Sequence, residues 1–174
     1  MEFEWDEKKN KANFRKHGIR FELAATMLGS QGDNVQLTIN IPLKADIVNG
    51  GFEVSTASEG ETWSKSQLGH YADKSGVYIQ HSNGKILYIG KATTGNWGNF
   101  GERLRREFQK TPSSNSNLYQ LLESQQHPIK VYLLDLEDID MMVNPGPMQL
   151  SPVRKALIME QTLIGLYEPE GNRV

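Results

Sequence analysis

Residues 76–92 read Gly-Val-Tyr-Ile-Gln-His-Ser-Asn-Gly-Lys-Ile-Leu-Tyr-Ile-Gly-Lys-Ala. Two strand-like runs, 76–81 and 85–92, flank Ser82-Asn83-Gly84, and this order predicts a β-hairpin. A two-residue Asn-Gly turn would place Tyr78 and Tyr88 on opposite faces of the sheet, because side chains alternate with a period of two. A three-residue loop would pair the two tyrosines directly on one face.

Outward from the hairpin, periodicity and caps predict the remaining elements. We expect helices at 6–28, 100–110, 117–124 and 152–167, and further strands at 35–41, within 49–66 and at 130–136. Ser151 and Pro152 suit the start of the last helix as its cap and first residue. The pattern predicts an α+β fold, with a small antiparallel three-stranded sheet flanked by helices over 75–174. An N-terminal helix/strand extension would occupy residues 1–70.

The amino-acid composition of the chain excludes several classes of protein. The chain has 174 residues and no cysteine, which excludes a disulfide framework, thiolate catalysis and a zinc site built on thiolates. It has no apolar run of about 18 residues, so we expect no membrane partner. The acidic N-terminus does not resemble a signal peptide, and we expect a cytoplasmic protein. The net charge of −2 disfavours a nucleic-acid binder, but basic residues cluster within 8–20 and 103–110.

One carboxylate interrupts the apolar pattern of the last predicted helix. Val153, Leu157, Ile164 and Tyr167 form an apolar stripe, and Glu160 falls within it. A carboxylate on such a stripe is costly to bury unless an ion pair, protonation or a metal compensates it. The alternative is that Glu160 lies at the edge of the stripe, where it reaches solvent or pairs with an arginine.

Five short motifs follow one another in a recognisable order. They are Gly76-Val77-Tyr78, Tyr88-Ile89-Gly90, Arg103-Leu104, Glu160 followed by Leu163-Ile164, and Pro169 with Asn172. With these motifs, residues 75–174 resemble the GIY-YIG nuclease superfamily over the full length of its module. Valine replaces the middle isoleucine of the first tripeptide.

The resemblance implies a role for each matched residue. Glu160 would be the sole protein ligand of Mg²⁺ (or Mn²⁺), a hard cation that keeps several of its waters. Arg103 would clamp the scissile phosphate through its planar guanidinium. Tyr78 or Tyr88 would orient or deprotonate the attacking water, and Asn172 would fix the geometry by hydrogen bonding. The implied activity is a metal-dependent endonuclease that hydrolyses phosphodiester bonds, with DNA as the expected substrate.

Three residues near the matched motifs call for separate treatment. Lys91 and Arg106 are candidates for substrate contacts, although strand alternation directs Lys91 away from Tyr88. Family members often carry a tyrosine or histidine one turn after the arginine, where Glu107 stands here, so the general base stays open. A shared site needs both tyrosines on one face, and we therefore predict the three-residue hairpin loop.

A second resemblance covers residues 3–28, which are similar to the opening of BrnT-type ribonuclease toxins. The likeness stops near Leu28, and no catalytic residue is transferred from it.

Two functions are alternatives to the endonuclease. The chain would be a non-catalytic nucleic-acid-binding module of the same fold, or a toxin-like ribonuclease that cleaves RNA with metal chelated. The oligomeric state is not predictable from these residues.

Overall fold

The computed structural model describes residues 36–95, 98–110 and 116–173. The helix predicted at 6–28 and the toxin-like stretch at 3–28 lie outside the described residues. The chain divides into two compact units, one of Met1–Leu37 with Pro145–Met148 and one of Thr38–Asn144 with Gln149–Val174. In the first unit, Gly146 has a φ of 60°, and a Cβ at that position would come within 2.8 Å of the Gln36 carbonyl oxygen.

The second unit is an α+β fold with antiparallel strands, as predicted. Its strands are β1 Thr38–Ile39, β2 Phe52–Val54, β3 Gly76–Ser82, β4 Lys85–Ala92, β5 Ile129–Asp135 and β6 Val143–Asn144. Its helices are α1 Lys44–Asn49, α2 Phe100–Phe108, α3 Ser116–Glu123, α4 Leu136–Met142 and α5 Pro152–Tyr167, with 3₁₀ turns at Lys65–Tyr71 and Glu170–Asn172. In the described part of the chain, no helix is long and apolar enough to cross a lipid bilayer.

Among the described residues, the main sheet has four strands in the order β2-β5-β3-β4, and β1 pairs separately with β6. The prediction of three strands was therefore wrong in number. The additional strand comes from the stretch predicted as an extension, where Phe52 pairs with Val131 of β5. Pairing with β2 covers an edge of β5 that would otherwise expose unpaired backbone groups.

The hairpin loop differs from the prediction. Ser82 pairs with Lys85 across Asn83-Gly84, whose φ angles of 47° and 76° make a two-residue turn with both residues in the left-handed region. The three-residue loop is therefore wrong. Asn-Gly is the dipeptide that tolerates two successive positive φ angles most readily.

A β-bulge nevertheless brings Tyr78 and Tyr88 to the same face. The register shifts after Gln80, which pairs with Tyr88, while His81 pairs with Ile86. One additional residue on β4 reverses the alternation that the two-residue turn imposes. Tyr78 consequently pairs with Gly90, two positions from Tyr88, and the two rings lie 6.1 Å apart.

Helices cover both faces of the sheet, so that β3 is buried at every position. One face carries Tyr78 and packs against α2 and α3. The opposite face carries Val77 and Ile79 and packs against α4 and α5. The side chains of β3, including that of Tyr78, are thus enclosed between helices on both faces of the sheet.

Helix α5 begins as predicted, since the Ser151 hydroxyl accepts a hydrogen bond from the Arg154 amide at 3.4 Å. The residues of α5 that are fully buried are not those of the predicted apolar stripe. Ala156, Met159 and Leu163 are fully buried, and Glu160 lies beside them. The four residues of the predicted stripe are only half-buried, because α5 packs on both α4 and the sheet.

Candidate functional site

Gly76 and Gly90, from the two matched tripeptides, lie so close to neighbouring atoms that neither position has room for a side chain. A Cβ at Gly76 would lie 1.9 Å from the Leu134 carbonyl oxygen on the neighbouring strand. A Cβ at Gly90 would lie 2.4 Å from the Tyr78 hydroxyl and 2.9 Å from the Tyr88 ring. Gly90 therefore makes room for both tyrosines on its own face of the sheet.

Tyr78 is fully buried, and its hydroxyl is used inside the protein. The hydroxyl donates to Glu107 Oε1 at 2.5 Å and accepts from Arg103 Nε at 3.0 Å. Burial, followed by the charge of Glu107, raises the pKa of Tyr78 well above its usual value of 10.0. This phenol is therefore a proton donor held by Glu107, with no exposed surface for a water molecule to contact.

Glu107 gathers three donors in the sheet–helix interface. In addition to Tyr78, it binds Arg103 Nε at 3.1 Å through Oε1 and Gln80 Nε2 at 2.7 Å through Oε2. Burial raises the pKa of this carboxyl group, and the charge of Arg103 and the three hydrogen bonds oppose that shift. An acceptor with three donors is matched as a carboxylate. We call Tyr78, Gln80, Arg103 and Glu107 the Glu107 network.

Tyr88 opens onto a cavity beside the Glu107 network. The cavity has a volume of about 200 Å³ and is lined by Tyr88, Arg103, Arg106, Glu107 and Leu118. Burial, followed by the charge of Glu107, raises the pKa of Tyr88 to about 12, and the Arg103 guanidinium opposes the shift. The cavity thus holds a phenol and a guanidinium side by side.

Glu160 on α5 and Lys91 on β4 do not line this cavity. Glu160 Oε2 accepts from Lys91 Nζ at 3.0 Å, with 11% of the Glu160 side chain and 32% of the Lys91 side chain exposed. The ion pair anticipated for Glu160 is thus formed with a lysine. No hydrogen bond between described residues joins Glu160 to Tyr78, Tyr88 or Arg103, although its charge contributes to the raised pKa of Tyr88.

The Glu160 carboxylate fits the one-ligand metal site implied by the resemblance. Its Oε1 atom accepts no hydrogen bond from a described residue. The described residues contain no group of three or more His, Asp or Glu side chains suited to a metal, whereas Mg²⁺ often binds through one or two carboxylates and water. Lys91 occupies the other oxygen and would compete with a cation.

Asn172 closes the open edge of β4. Its Oδ1 accepts from the Ile89 amide at 2.8 Å, and its Nδ2 donates to the Ile89 carbonyl at 2.7 Å. The side-chain amide thereby makes the two hydrogen bonds that a neighbouring strand would make. Because Ile89 stands between Tyr88 and Gly90, Asn172 fastens the 3₁₀ turn Glu170–Asn172 to the middle of the second tripeptide.

The structure therefore brings Tyr78, Tyr88, Arg103 and Arg106 together on one face of the sheet. Glu160 and Lys91 form a separate ion pair that does not line the cavity, although the Glu160 charge acts on Tyr88. Sequence reasoning noted Glu107 only as a departure and missed Gln80. A glutamine in the apolar run of β3 was the available signal for a buried polar contact. Comparison with protein-family models, with curated proteins and with solved structures gives no match for this chain.

Proposed function

We propose that this chain is a metal-dependent endonuclease of the GIY-YIG type. In this proposal β5, β3 and β4 with α2 and α5 form the nuclease core, and β2 is an added strand. The observation that carries the proposal is the cavity in which the Tyr88 phenol lies beside the guanidinium of Arg103. Hydrolysis of a phosphodiester needs a group that orients water and a cation that binds the phosphate.

Arg103 would bind the scissile phosphate. Its Nε atom is held by Tyr78 at 3.0 Å and by Glu107 at 3.1 Å, and the guanidinium also hydrogen-bonds Tyr88. Its remaining N–H groups would bind the phosphate oxygens. A guanidinium fixed at one nitrogen presents its planar fork in one orientation. Arg106, which lines the same cavity, would contact a flanking phosphate.

Tyr88 would orient the attacking water, because Tyr78 is fully buried and its proton is held by Glu107. The water oxygen bonds to phosphorus and the bond to the leaving oxygen breaks. One proton of the water would pass to solvent, or to Tyr88 when Tyr88 is a phenolate, and the leaving oxygen would take a proton from solvent. With a pKa of about 12, Tyr88 is neutral at pH 7 and needs further positive charge to act as a base.

Glu160 would hold the Mg²⁺ or Mn²⁺ ion, with Lys91 displaced from the carboxylate as the ion binds. Once bound, such an ion polarises the phosphate and stabilises the leaving oxygen. Asn172 would keep Tyr88 and Gly90 in place through the backbone of Ile89.

Plasmid nicking tests the proposal. We expect supercoiled DNA to be cut by the full chain with Mg²⁺ or Mn²⁺ and to stay intact with a chelator. Arg103→Lys should lower the rate strongly, because lysine lacks the planar fork. DNA binding without cleavage under all metals would favour the non-catalytic module, and RNA cleavage with metal chelated would favour the toxin-like ribonuclease. Either result would refute the proposal.

A further inference from the structure

Glu107 is buried at the junction of the groups that the proposed reaction uses. It lies one helical turn after Arg103 on α2, and 4% of the residue is exposed. Its two oxygens accept from Tyr78, Arg103 and Gln80 at 2.5, 3.1 and 2.7 Å. Each of these donors faces the carboxylate from a different position on β3 or α2.

The charged and titratable groups around Glu107 come from several elements. Arg103 approaches along α2, Tyr78 and the neutral Gln80 approach from β3, and Tyr88 approaches from β4 across the cavity. Arg106 lines the same cavity from α2, and Leu118 is the apolar contribution of α3. Glu107 is thus the negative partner of a cationic cavity wall.

A purely structural ion pair would not require this arrangement. A buried pair is often no more stabilising than apolar residues of the same volume, and this interface is otherwise apolar, with Phe100, Leu104 and Phe108 from the same helix. The carboxylate instead holds the hydroxyl of one motif tyrosine and the Nε of the motif arginine. It also forms part of the wall of the cavity that Tyr88 faces.

We propose that Glu107 is a positioning residue: it fixes the Arg103 guanidinium through Nε and keeps the Tyr78 hydroxyl as an internal donor. This inference rests on the proposed function, because it assigns Arg103 to the phosphate. With Nε held, the Arg103 guanidinium lines the cavity beside Tyr88 in a fixed orientation. Because the Tyr78 hydroxyl donates its proton to Glu107, its oxygen is free to accept the hydrogen bond from Arg103 Nε. Tyr88 is then the tyrosine that contacts the substrate.

Glu107→Gln tests the proposal, with Glu102→Gln as the matched control. Glu102 lies on the same helix and pairs with Arg105 at 2.8 Å, but at the surface. We expect Glu107→Gln to lower kcat about 10- to 100-fold, the effect of a misplaced positioning group, with KM changed less than about threefold. Glu102→Gln should keep both constants within about twofold, because it removes only a surface ion pair. A wild-type kcat in Glu107→Gln would overturn the proposal.

A readout independent of cleavage separates this proposal from the proposed function. In ¹⁵N-arginine-labelled protein, the Nε–H signal of Arg103 is the one that Arg103→Lys removes. Glu107→Gln should shift this signal and speed its exchange with water, and Glu102→Gln should not. This outcome supports the positioning role even if the wild-type chain cuts no nucleic acid. An unchanged Arg103 signal overturns the positioning role even if cleavage is confirmed.

Glu107→Asp provides a second variant in case the glutamine variant does not fold. Aspartate keeps the negative charge inside but withdraws the carboxylate by one methylene. We expect a folded protein with an altered Arg103 signal and a kcat at least about tenfold below wild type. A Glu107→Asp protein with the wild-type signal and rate would overturn the proposal. So would a loss of rate matched by an equal loss of folded protein.

Discussion

Replacing Glu160 by glutamine separates a metal ligand from half of a structural ion pair. The amide keeps the size of the side chain and can still accept a hydrogen bond from Lys91, but it is a poor ligand for a hard cation. We expect Glu160→Gln to abolish Mg²⁺-dependent cleavage and to leave nucleic-acid binding, measured without metal, nearly intact. The effect of Glu160→Gln on the free energy of unfolding depends on the ion pair between Lys91 Nζ and Glu160 Oε2, which are 3.0 Å apart.

The effect on stability follows from how exposed this ion pair is. Removing one partner of a fully buried pair costs about 3–5 kcal/mol, because the other charge is stranded. About a third of the Lys91 side chain is exposed, so the ammonium can turn toward water. An exposed pair is worth about 0–1 kcal/mol, and we expect Glu160→Gln to lower the free energy of unfolding by about 1 kcal/mol.

The same estimate predicts the effect of removing the lysine. If Mn²⁺ must break a contact worth about 1 kcal/mol, Lys91→Met should tighten Mn²⁺ binding about fivefold, since 1.4 kcal/mol corresponds to a factor of ten. Lys85→Met is the matched control, because Lys85 also pairs with a glutamate, Glu170, at 2.8 Å. It should leave Mn²⁺ affinity unchanged.

Calorimetric titration of Mn²⁺ into wild type and the three variants, without nucleic acid, measures these affinities. Chemical denaturation measures the stabilities, and plasmid nicking measures the rates. Mn²⁺ binding to Glu160→Gln as tight as to wild type would refute Glu160 as the ligand. A Glu160→Gln protein that is much less stable yet still cleaves would refute the mechanism with it.

Three further predictions concern the tripeptide motifs. Gly90→Ala places a methyl group 2.4 Å from the Tyr78 hydroxyl. This overpacking should lower the free energy of unfolding, measured by chemical denaturation, by about 1–3 kcal/mol, and it should lower the nicking rate. A Gly90→Ala protein as stable as wild type would contradict the close approach. Asn172→Ala removes two hydrogen bonds to Ile89 and should lower the free energy of unfolding by about 1–2 kcal/mol. An unchanged melting temperature would show that these two bonds do not stabilise the edge of β4. The pKa of Tyr88 is about 12 in the folded chain and about 10 unfolded, so its stabilisation is present below pH 10 and is lost toward pH 12. Tyr88→Phe should remove that part of the alkaline loss, roughly 3 kcal/mol. Identical pH–stability curves of the two proteins would contradict the shift.

The strongest local signals predicted the fold well. Asn83-Gly84 between two β-rich runs specified the hairpin, and Ser151-Pro152 specified the start of α5. These signals depend on backbone preferences of adjacent residues, which the sequence displays directly. The strand expected within 49–66 is present as β2, Phe52–Val54. Its three residues are too few to predict its partner, and its place beside β5 follows from the edge that β5 offers for pairing.

The register of the hairpin shows where local reasoning ends. The Asn-Gly turn alone would place Tyr88 on the face opposite Tyr78. The bulge after Gln80 reverses this result, and nothing in the sequence of β4 marks its position. The prediction reached the correct face with the wrong turn, because it assumed a shared site and derived the loop from that assumption.

The sequence named candidate residues for the site but not the contacts that those residues make. The resemblance named Tyr78, Arg103 and Glu160, but their partners come from elsewhere in the chain. Glu107 binds Tyr78 across 29 positions, and Lys91 binds Glu160 across 69. Such pairs depend on how α2 and α5 pack on opposite faces of the sheet, which periodicity cannot specify.

These contacts also bear on how a chain with a net charge of −2 would bind a polyanion. Arg103 is balanced by Glu107 at 3.1 Å, and Lys91 is balanced by Glu160 at 3.0 Å. Two of the cations that the resemblance assigns to nucleic acid are therefore neutralised inside the protein. A divalent ion on Glu160 would change this balance twice, by adding its own charge and by releasing Lys91. Metal and nucleic acid should then bind cooperatively, because each lowers the electrostatic cost of the other.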